Sequence, residues 1–163
     1  MAKDDKKAGK KAGSKAGGKV GGKSAAWERT KVGKKVHINT PANINAGANL
    51  GVPLCAAVKA NGMIFCSGAV AFDPDKGGIQ HGTMESETRQ TLKNLQAILE
   101  NNGSSLDRII KCGVFIDTMV EFENMNRAYR EFFPKNPPAR TTVACELGWG
   151  VRVEIDCVAL CDD

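Results

Sequence analysis

Several signatures that usually announce a function are absent from this chain of 163 residues. It contains no apolar run of the roughly 20 residues that a membrane-spanning helix needs, and no apolar stretch typical of a secretory signal. It also lacks a phosphate-binding P-loop, a dinucleotide-binding fingerprint and a Ca²⁺-loop pattern. We therefore expect a cytosolic protein without membrane contact. A mitochondrial location is less favoured because the basic N-terminus has no arginine bias.

Histidine is scarce, and the cysteines are not spaced as metal ligands. His37 and His81 are the only histidines, and neither has a ligand-like spacing to a cysteine pair. The six cysteines include no C-x-x-C pair, and five of them lie in or beside apolar, strand-like runs. The sequence therefore predicts free thiols in a reducing compartment rather than disulfides, and no metal site.

Positive charge is confined to the beginning of the chain. Residues 1–36 carry 12 Lys/Arg and 3 acids (12 − 3 = +9), whereas residues 37–163 carry 11 and 15 (11 − 15 = −4). We predict that residues 1–36 form a disordered Lys/Gly/Ala tail and that residues 37–163 form the folded domain. The tail is either a solubilising leader or a polyanion-binding segment for RNA or the ribosome. The candidate polyanion-binding residues are Lys6, Lys7, Lys10, Lys11 and Lys15.

The folded part is predicted to begin with a hairpin followed by a helix. Cys55–Ala60 and Met63–Ser67 are short apolar runs, and the Asn61-Gly62 pair between them is a strong hairpin signal. A loop rich in turn residues follows at 73–78. Thr83 then caps a helix with leucine and isoleucine on one face, which Gly103 ends.

The second half is predicted to alternate strand and helix. A second helix begins after Asp117 or Thr118, carries an aromatic stripe and ends before Pro134. Further strands are predicted at Ile109–Ile116, Thr141–Leu147 and Val151–Leu160. The order β-β-α-β-α-β-β predicts an α/β fold of the α+β layer type, with two amphipathic helices on one face of a mixed sheet. Such a one-sided sheet often oligomerises.

Two charged residues are candidates for chemistry. Arg140 follows Pro137-Pro138-Ala139, a stiff approach to a strand, and its planar guanidinium matches the two oxygens of a carboxylate. The alternative is an ordinary salt bridge at a strand edge. Glu154 belongs to the alternating segment Val151–Asp156, whose charged face is either the solvated side of an outer strand or the lining of a cleft. In a cleft, its carboxylate could act as a general acid or base.

Two smaller polar residues are weaker candidates. Asn126 lies one turn before Tyr129 on the second helix, where asparagine is mildly unfavourable, so it is either an exposed polar position or a functional one. Ser67 ends a strand beside Gly68, which allows close backbone approach. No G-x-S-x-G pattern surrounds Ser67, which argues against a serine hydrolase.

Together these segments resemble the reactive-intermediate deaminase family, also called the YjgF or L-PSP family, over about residues 49–161. The matching segments are F-C-S-G (Phe65–Gly68), D-P-D-K-G-G (Asp73–Gly78), the helix Thr88–Gly103, the strand and helix Ile109–Phe133, P-P-A-R (Pro137–Arg140) and V-R-V-E-I-D (Val151–Asp156). The resemblance implies a chorismate-mutase-like homotrimer with three clefts between subunits and no cofactor. It also implies hydrolysis of 2-aminoacrylate, 2-iminopropanoate, 2-iminobutanoate and related enamine or imine acids to 2-keto acids and ammonia.

The resemblance also implies roles for individual residues. Arg140 would clamp the substrate carboxylate, and Glu154 would position or activate the attacking water. Asn126 would line the cleft from the second helix, and Ser67 with Gly68 would line its other wall.

The chain departs from the family pattern at two further substrate-binding candidates. Leu54 stands where deaminating members usually have a tyrosine, and Thr142 stands where a cysteine is frequent. The alternative function is an RNA- or ribosome-associated trimer that acts through its basic tail with little or no deaminase activity.

Overall fold

The computed structural model describes residues 34–38 and 51–162. The strands are β1 (Val36–Ile38), β2 (Ala57–Ala60), β3 (Met63–Ala69), β4 (Phe72–Asp73), β5 (Gly78–Ile79), β6 (Ile109–Ile116), β7 (Ala139–Ala144) and β8 (Val153–Leu160). The helices are α1 (Met84–Glu100) and α2 (Phe122–Phe132), with short 3₁₀ turns at Leu106–Arg108, Met119–Glu121 and Gly148–Gly150. The tail candidates Lys6, Lys7, Lys10, Lys11 and Lys15 lie outside the described residues.

Six strands form one mixed sheet in the order β1-β2-β3-β8-β6-β7. All neighbours are antiparallel except β6 and β7, which run parallel and are joined through α2. The predicted hairpin is confirmed: Asn61 and Gly62 both have positive φ, 52° and 71°, as a tight turn between β2 and β3 requires. The predicted mixed sheet with two helices is likewise confirmed.

The core lies between the helices and one face of the sheet. Along β8, residues 153, 155, 157 and 159 are buried while the alternate side chains are more exposed, as period-two packing on a one-sided layer requires. Helix α1 packs Leu92, Leu95 and Leu99 against this face. Thr83 caps α1 as predicted, accepting a 3.2 Å hydrogen bond from the Ser86 N–H.

Several details differ from the prediction. The predicted 73–78 loop is part of a hairpin whose two strands, β4 and β5, have two residues each. Strands of this length are too short for a hydrophobic pattern to reveal. Thr118 caps the 3₁₀ turn, so α2 begins only at Phe122. Strand β7 runs from Ala139 to Ala144 rather than from residue 141 to 147, because its parallel pairing with β6 begins at Ala139.

Strand β8 lies inside the sheet, between β3 and β6. The interpretation of Glu154 as part of an outer strand is therefore wrong. The strand order is decided by backbone pairing between segments about 40 to 90 residues apart, such as Cys112 with Cys157 and Cys66 with Cys157, which no local pattern encodes.

All six cysteines are free thiols, with Cys145 exposed and Cys55 partly exposed.

Candidate functional site

Arg140 lies on edge strand β7 and faces helix α2. Its Nη2 donates a 2.8 Å hydrogen bond to Asn126 Oδ1, and its guanidinium carbon lies 4.7 Å from the Tyr129 ring centroid and 5.7 Å from that of Phe122. A cation within about 6 Å of a ring centroid is attracted to the face of that ring. The cation is therefore held in place by an amide and two aromatic rings.

Arg140 has no carboxylate partner among the described residues. Each of the other five arginines in that part of the chain does: Arg89–Glu131 at 2.7 Å, Arg108–Asp162 at 2.8 Å, Arg127–Glu85 at 2.7 Å, Arg130–Glu123 at 3.6 Å and Arg152–Asp117 at 3.4 Å. The strand-edge salt bridge considered from the sequence is thus not formed with any carboxylate that the structure describes. A fixed guanidinium with free donors is suited to an anion from outside the chain.

A cavity of about 500 Å³ opens beside this guanidinium at the sheet edge. It is lined by Phe122, Asn126, Tyr129, Arg130, Phe133, Pro137, Pro138 and Arg140. The proline pair thus forms one wall of the space that the arginine faces. The cavity is large enough for a small organic acid.

Asn126 is buried, with 7% of its surface exposed. Its Nδ2 donates a 3.3 Å hydrogen bond to Glu123 Oε1, which leaves Oδ1 turned toward Arg140. The alternative of an exposed polar position is therefore wrong. Asn126 orients the guanidinium without neutralising it, because an amide carries no charge.

The aromatic stripe expected on the second helix does not by itself predict that Tyr129 and Phe122 contact Arg140. The one available signal was helical spacing, since both lie three or four residues from Asn126 and so share its face of α2. Burial and the adjacent Cys112 thiol raise the pKa of the Tyr129 hydroxyl well above its ordinary value. The phenol is thus neutral, and its ring face serves as a platform for the cation.

Glu154 lies on the other face of the sheet. On β8 it is paired with Phe115 of the neighbouring strand β6. Its carboxylate occupies the space above Gly68 of β3, the neighbouring strand on the other side. A Cβ atom at Gly68 would overlap that carboxylate, so this position of the Glu154 side chain depends on the absence of a side chain at residue 68. Burial, and secondarily the charge of Asp156, raises the pKa of Glu154 above the ordinary value for a glutamate.

A buried carboxylate anchors the beginning of β8. Glu87, with 1% of its surface exposed, accepts hydrogen bonds from the Gly82 N–H at 3.0 Å and the Arg152 N–H at 2.7 Å. It thereby ties the loop before α1 to the strand that carries Glu154. Its position in the first turn of α1 indicates only a favourable charge near a helix N-terminus, so this contact does not follow from the sequence.

The remaining candidates divide between the two faces. Thr142 is two residues beyond Arg140 on the same side of β7, and its buried Oγ1 has no hydrogen-bond partner among the described residues. Ser67 adjoins Gly68, and its Oγ donates a 2.8 Å hydrogen bond to the Cys55 carbonyl. That bond fixes the segment that begins with the partly exposed Leu54.

We call these groups the cation half (Arg140, Asn126 and Thr142) and the carboxylate half (Glu154, Gly68 and Ser67). Along β8, buried Val153 and Ile155 face the helices, so Glu154 faces away from them. Arg140 contacts α2 and therefore lies on the helix side. The sheet separates the two halves within one chain.

The family profile described as "Endoribonuclease L-PSP" matches residues 49–161, well over half of the chain. This chain belongs to the L-PSP family, also known as the YjgF or reactive-intermediate deaminase family. The resemblance drawn from the motifs is confirmed over the same residues.

Named relatives of this L-PSP chain agree with this family assignment. It is 40% identical over 134 residues to "Protein mmf1, mitochondrial" of Schizosaccharomyces pombe, covering 80% of this chain and 78% of the relative. It is 33% identical over 115 residues to "Reactive Intermediate Deaminase A, chloroplastic" of Arabidopsis thaliana, covering 70% and 61%. The solved structure of the Rid family protein YyfA from Yersinia pestis aligns with a TM-score of 0.70 and 34% identity, covering 78% of this chain and 99% of that one.

Two negative findings concern the described residues. No helix there has the length and apolar character needed to cross a bilayer. No group of three or more His, Cys, Asp or Glu side chains there is placed to hold a metal ion.

Proposed function

We propose that this protein is a hydrolytic deaminase of enamine and imine acids of the 2-aminoacrylate and 2-iminopropanoate type. The products are a 2-keto acid and ammonia. The observation that carries the proposal is the state of Arg140: its guanidinium is oriented by Asn126 and two rings and is paired with no described carboxylate. A small 2-imino acid supplies the missing carboxylate.

The reaction requires orientation and one proton-transfer group. Arg140 binds the carboxylate and thereby places the adjacent imine carbon. Water adds to that carbon, the nitrogen takes up a proton, and the carbinolamine loses ammonia as its hydroxyl becomes the ketone. Glu154 positions the water and exchanges protons with it and with the leaving nitrogen. No cofactor is needed, because water and the substrate supply every atom of the products.

The positions of the two halves support a site built between subunits. Since the sheet separates Arg140 from Glu154, one substrate reaches both only if two copies of the chain contribute one half each. The face that carries Glu154 also has exposed apolar side chains, with Phe65 41%, Val143 41% and Leu160 47% exposed. We propose that a homotrimer covers this face and contains three clefts.

The alternative through RNA or the ribosome stays a prediction. Its candidate residues, Lys6, Lys7, Lys10, Lys11 and Lys15, lie outside the described residues, and no described contact favours it. The cytosolic location also stays a prediction, since the fission-yeast relative carries the word mitochondrial in its name.

The proposed function is tested by ammonia release from 2-iminopropanoate generated in situ by a dehydratase. The arms are wild type, Arg140→Lys, Arg140→Ala and no protein. We expect wild-type acceleration, and a loss of about 10- to 100-fold in Arg140→Lys because lysine lacks the two-donor fork. Arg108→Lys is the matched control, since Arg108 already has a carboxylate partner in Asp162. Wild-type rates at background, or rates unaffected by Arg140→Ala, would overturn the proposal.

A further inference from the structure

A second carboxylate lies beside Glu154 and has no part in the mechanism above. Asp156 projects from the same face of β8, two residues further along. Its Oδ1 accepts a 3.0 Å hydrogen bond from the Gly113 N–H of β6. A Cβ atom at Gly113 would lie 2.7 Å from this oxygen, so the carboxylate rests directly on the glycine backbone.

The two acids have matching surroundings. Glu154 lies above Gly68 of β3, and Asp156 lies above Gly113 of β6. Their Cα atoms are about 7 Å apart, from two strand residues at roughly 3.4 Å each. The two carboxylates reach toward different neighbouring strands, and their charges still interact across this half-buried face.

The nearby cations are engaged elsewhere. On β6, the Lys111 Nζ is bound to Thr141 Oγ1 at 2.6 Å. On β8, Arg152 is bound to the Gly82 carbonyl at 3.0 Å and to Asp117 at 3.4 Å. The titratable cysteines of these strands are Cys66 on β3, Cys112 on β6 and Cys157 on β8, all buried in the core on the helix side. Among the described charged groups of its own chain, Asp156 is therefore the one that acts most directly on Glu154.

We propose that Asp156 is a positioning residue for Glu154: held over Gly113, it keeps a second negative charge on this strand face and so favours the protonated form of Glu154. The inference rests on the proposed function and refines the part that Glu154 plays in it. The raised pKa of Glu154, to which Asp156 contributes after burial, agrees with this geometry.

A protonated Glu154 can begin the reaction as an acid. With an enamine, its proton goes to the terminal carbon and the C=C electrons form the new C–H bond, which leaves an iminium and a glutamate carboxylate. With an imine, the proton goes to nitrogen. In both cases the carboxylate then accepts a proton from the attacking water, which restores the acid. A glutamate that was ionised throughout could perform only the second transfer.

The test is a ¹³C NMR titration of the Glu154 side-chain carboxyl in the full-length protein, with pH–rate profiles in parallel. Glu154→Gln assigns the resonance by its loss. Asp156→Asn removes the charge while keeping an acceptor for the Gly113 N–H. Asp156→Glu is a separate variant that keeps the charge. Asp156→Thr is the second variant if Asp156→Asn does not fold. Glu100→Gln removes one negative charge from the end of α1 and serves as the matched control.

We expect the titration midpoint of Glu154 to move to lower pH in Asp156→Asn. The limb of the pH–rate profile that reports the protonation of Glu154 should move with it. Both should stay near the wild-type values in Asp156→Glu and in Glu100→Gln. A Glu154 midpoint that is the same in wild type and Asp156→Asn would overturn this inference alone. A wild-type protein without hydrolysis overturns the proposed function, and the NMR midpoints still report whether Asp156 controls Glu154.

Discussion

Arg140 and Glu154 lie on opposite faces of the six-stranded sheet. Arg140 is aligned with Cys112, whose side chain is buried under the helices, whereas Glu154 alternates with the buried pair Val153 and Ile155. Two groups proposed to act on one small molecule are thus separated within the chain. Whether one subunit or two supply the groups of a single site can therefore be tested by experiment.

Mixed trimers test the assembly directly. Arg140→Ala and Glu154→Gln should each be inactive alone. Mixed at random in equal amounts, they should recover about one quarter of wild-type activity, because half of the subunits supply each intact half and a site needs one of each. The measurement is ammonia release after co-refolding, with each variant refolded alone as the control. No recovery in correctly assembled mixed trimers would show that both halves come from one chain.

Gly68→Ala should lower activity with little effect on folding. The new Cβ would overlap the Glu154 carboxylate, the movable end of a side chain, so Glu154 should swing away while the backbone stays in place. We expect a fall of at least about tenfold in kcat/KM, of the order that loss of a positioned proton-transfer group produces. Gly78→Ala is the control, since a Cβ there meets nothing within 4 Å. Equal losses in the two variants would contradict the role given to Gly68.

Asn126→Asp should raise KM more than it lowers kcat. An aspartate at this position, 2.8 Å from Arg140 Nη2 by the present geometry, would pair with the guanidinium and compete with the substrate carboxylate. Steady-state kinetics across substrate concentrations separate the two constants. Asn124→Asp on the same helix adds the same charge at a residue bonded to Glu121 instead, and it should leave KM near the wild-type value. An unchanged KM in Asn126→Asp would mean that Arg140 does not bind the substrate.

Glu154→Gln should stabilise the fold near neutral pH and have little effect in acid. Burial, followed by the Asp156 charge, raises the folded-state pKa of Glu154 above its ordinary 4.5. The stability linked to its protonated form is therefore present below pH 4.5 and is lost as pH rises through the folded-state pKa. Melting temperatures of wild type and variant at pH 4 and pH 7.5 provide the comparison. A variant that is less stable than wild type at pH 7.5 would contradict the raised pKa.

Local patterns along the chain predicted most of the elements. The Asn61-Gly62 turn, the Thr83 cap and the alternation along β8 each depend on residues within a few positions of one another, and all three are present in the structure. Elements of two or three residues, such as β1 and β4, were missed because they are shorter than any period that could reveal them.

The sequence by itself determined the family, the two amphipathic helices and the identity of the arginine and glutamate candidates. These depend on motifs and periodicities that lie in continuous segments. Only the tertiary structure decided that β8 lies inside the sheet, that Asn126 and two rings hold Arg140, and that Glu154 and Asp156 each rest above a glycine of a neighbouring strand. The physical reason is that strand order and register follow from pairing between distant segments, and a one-residue change of register moves every side chain to the other face.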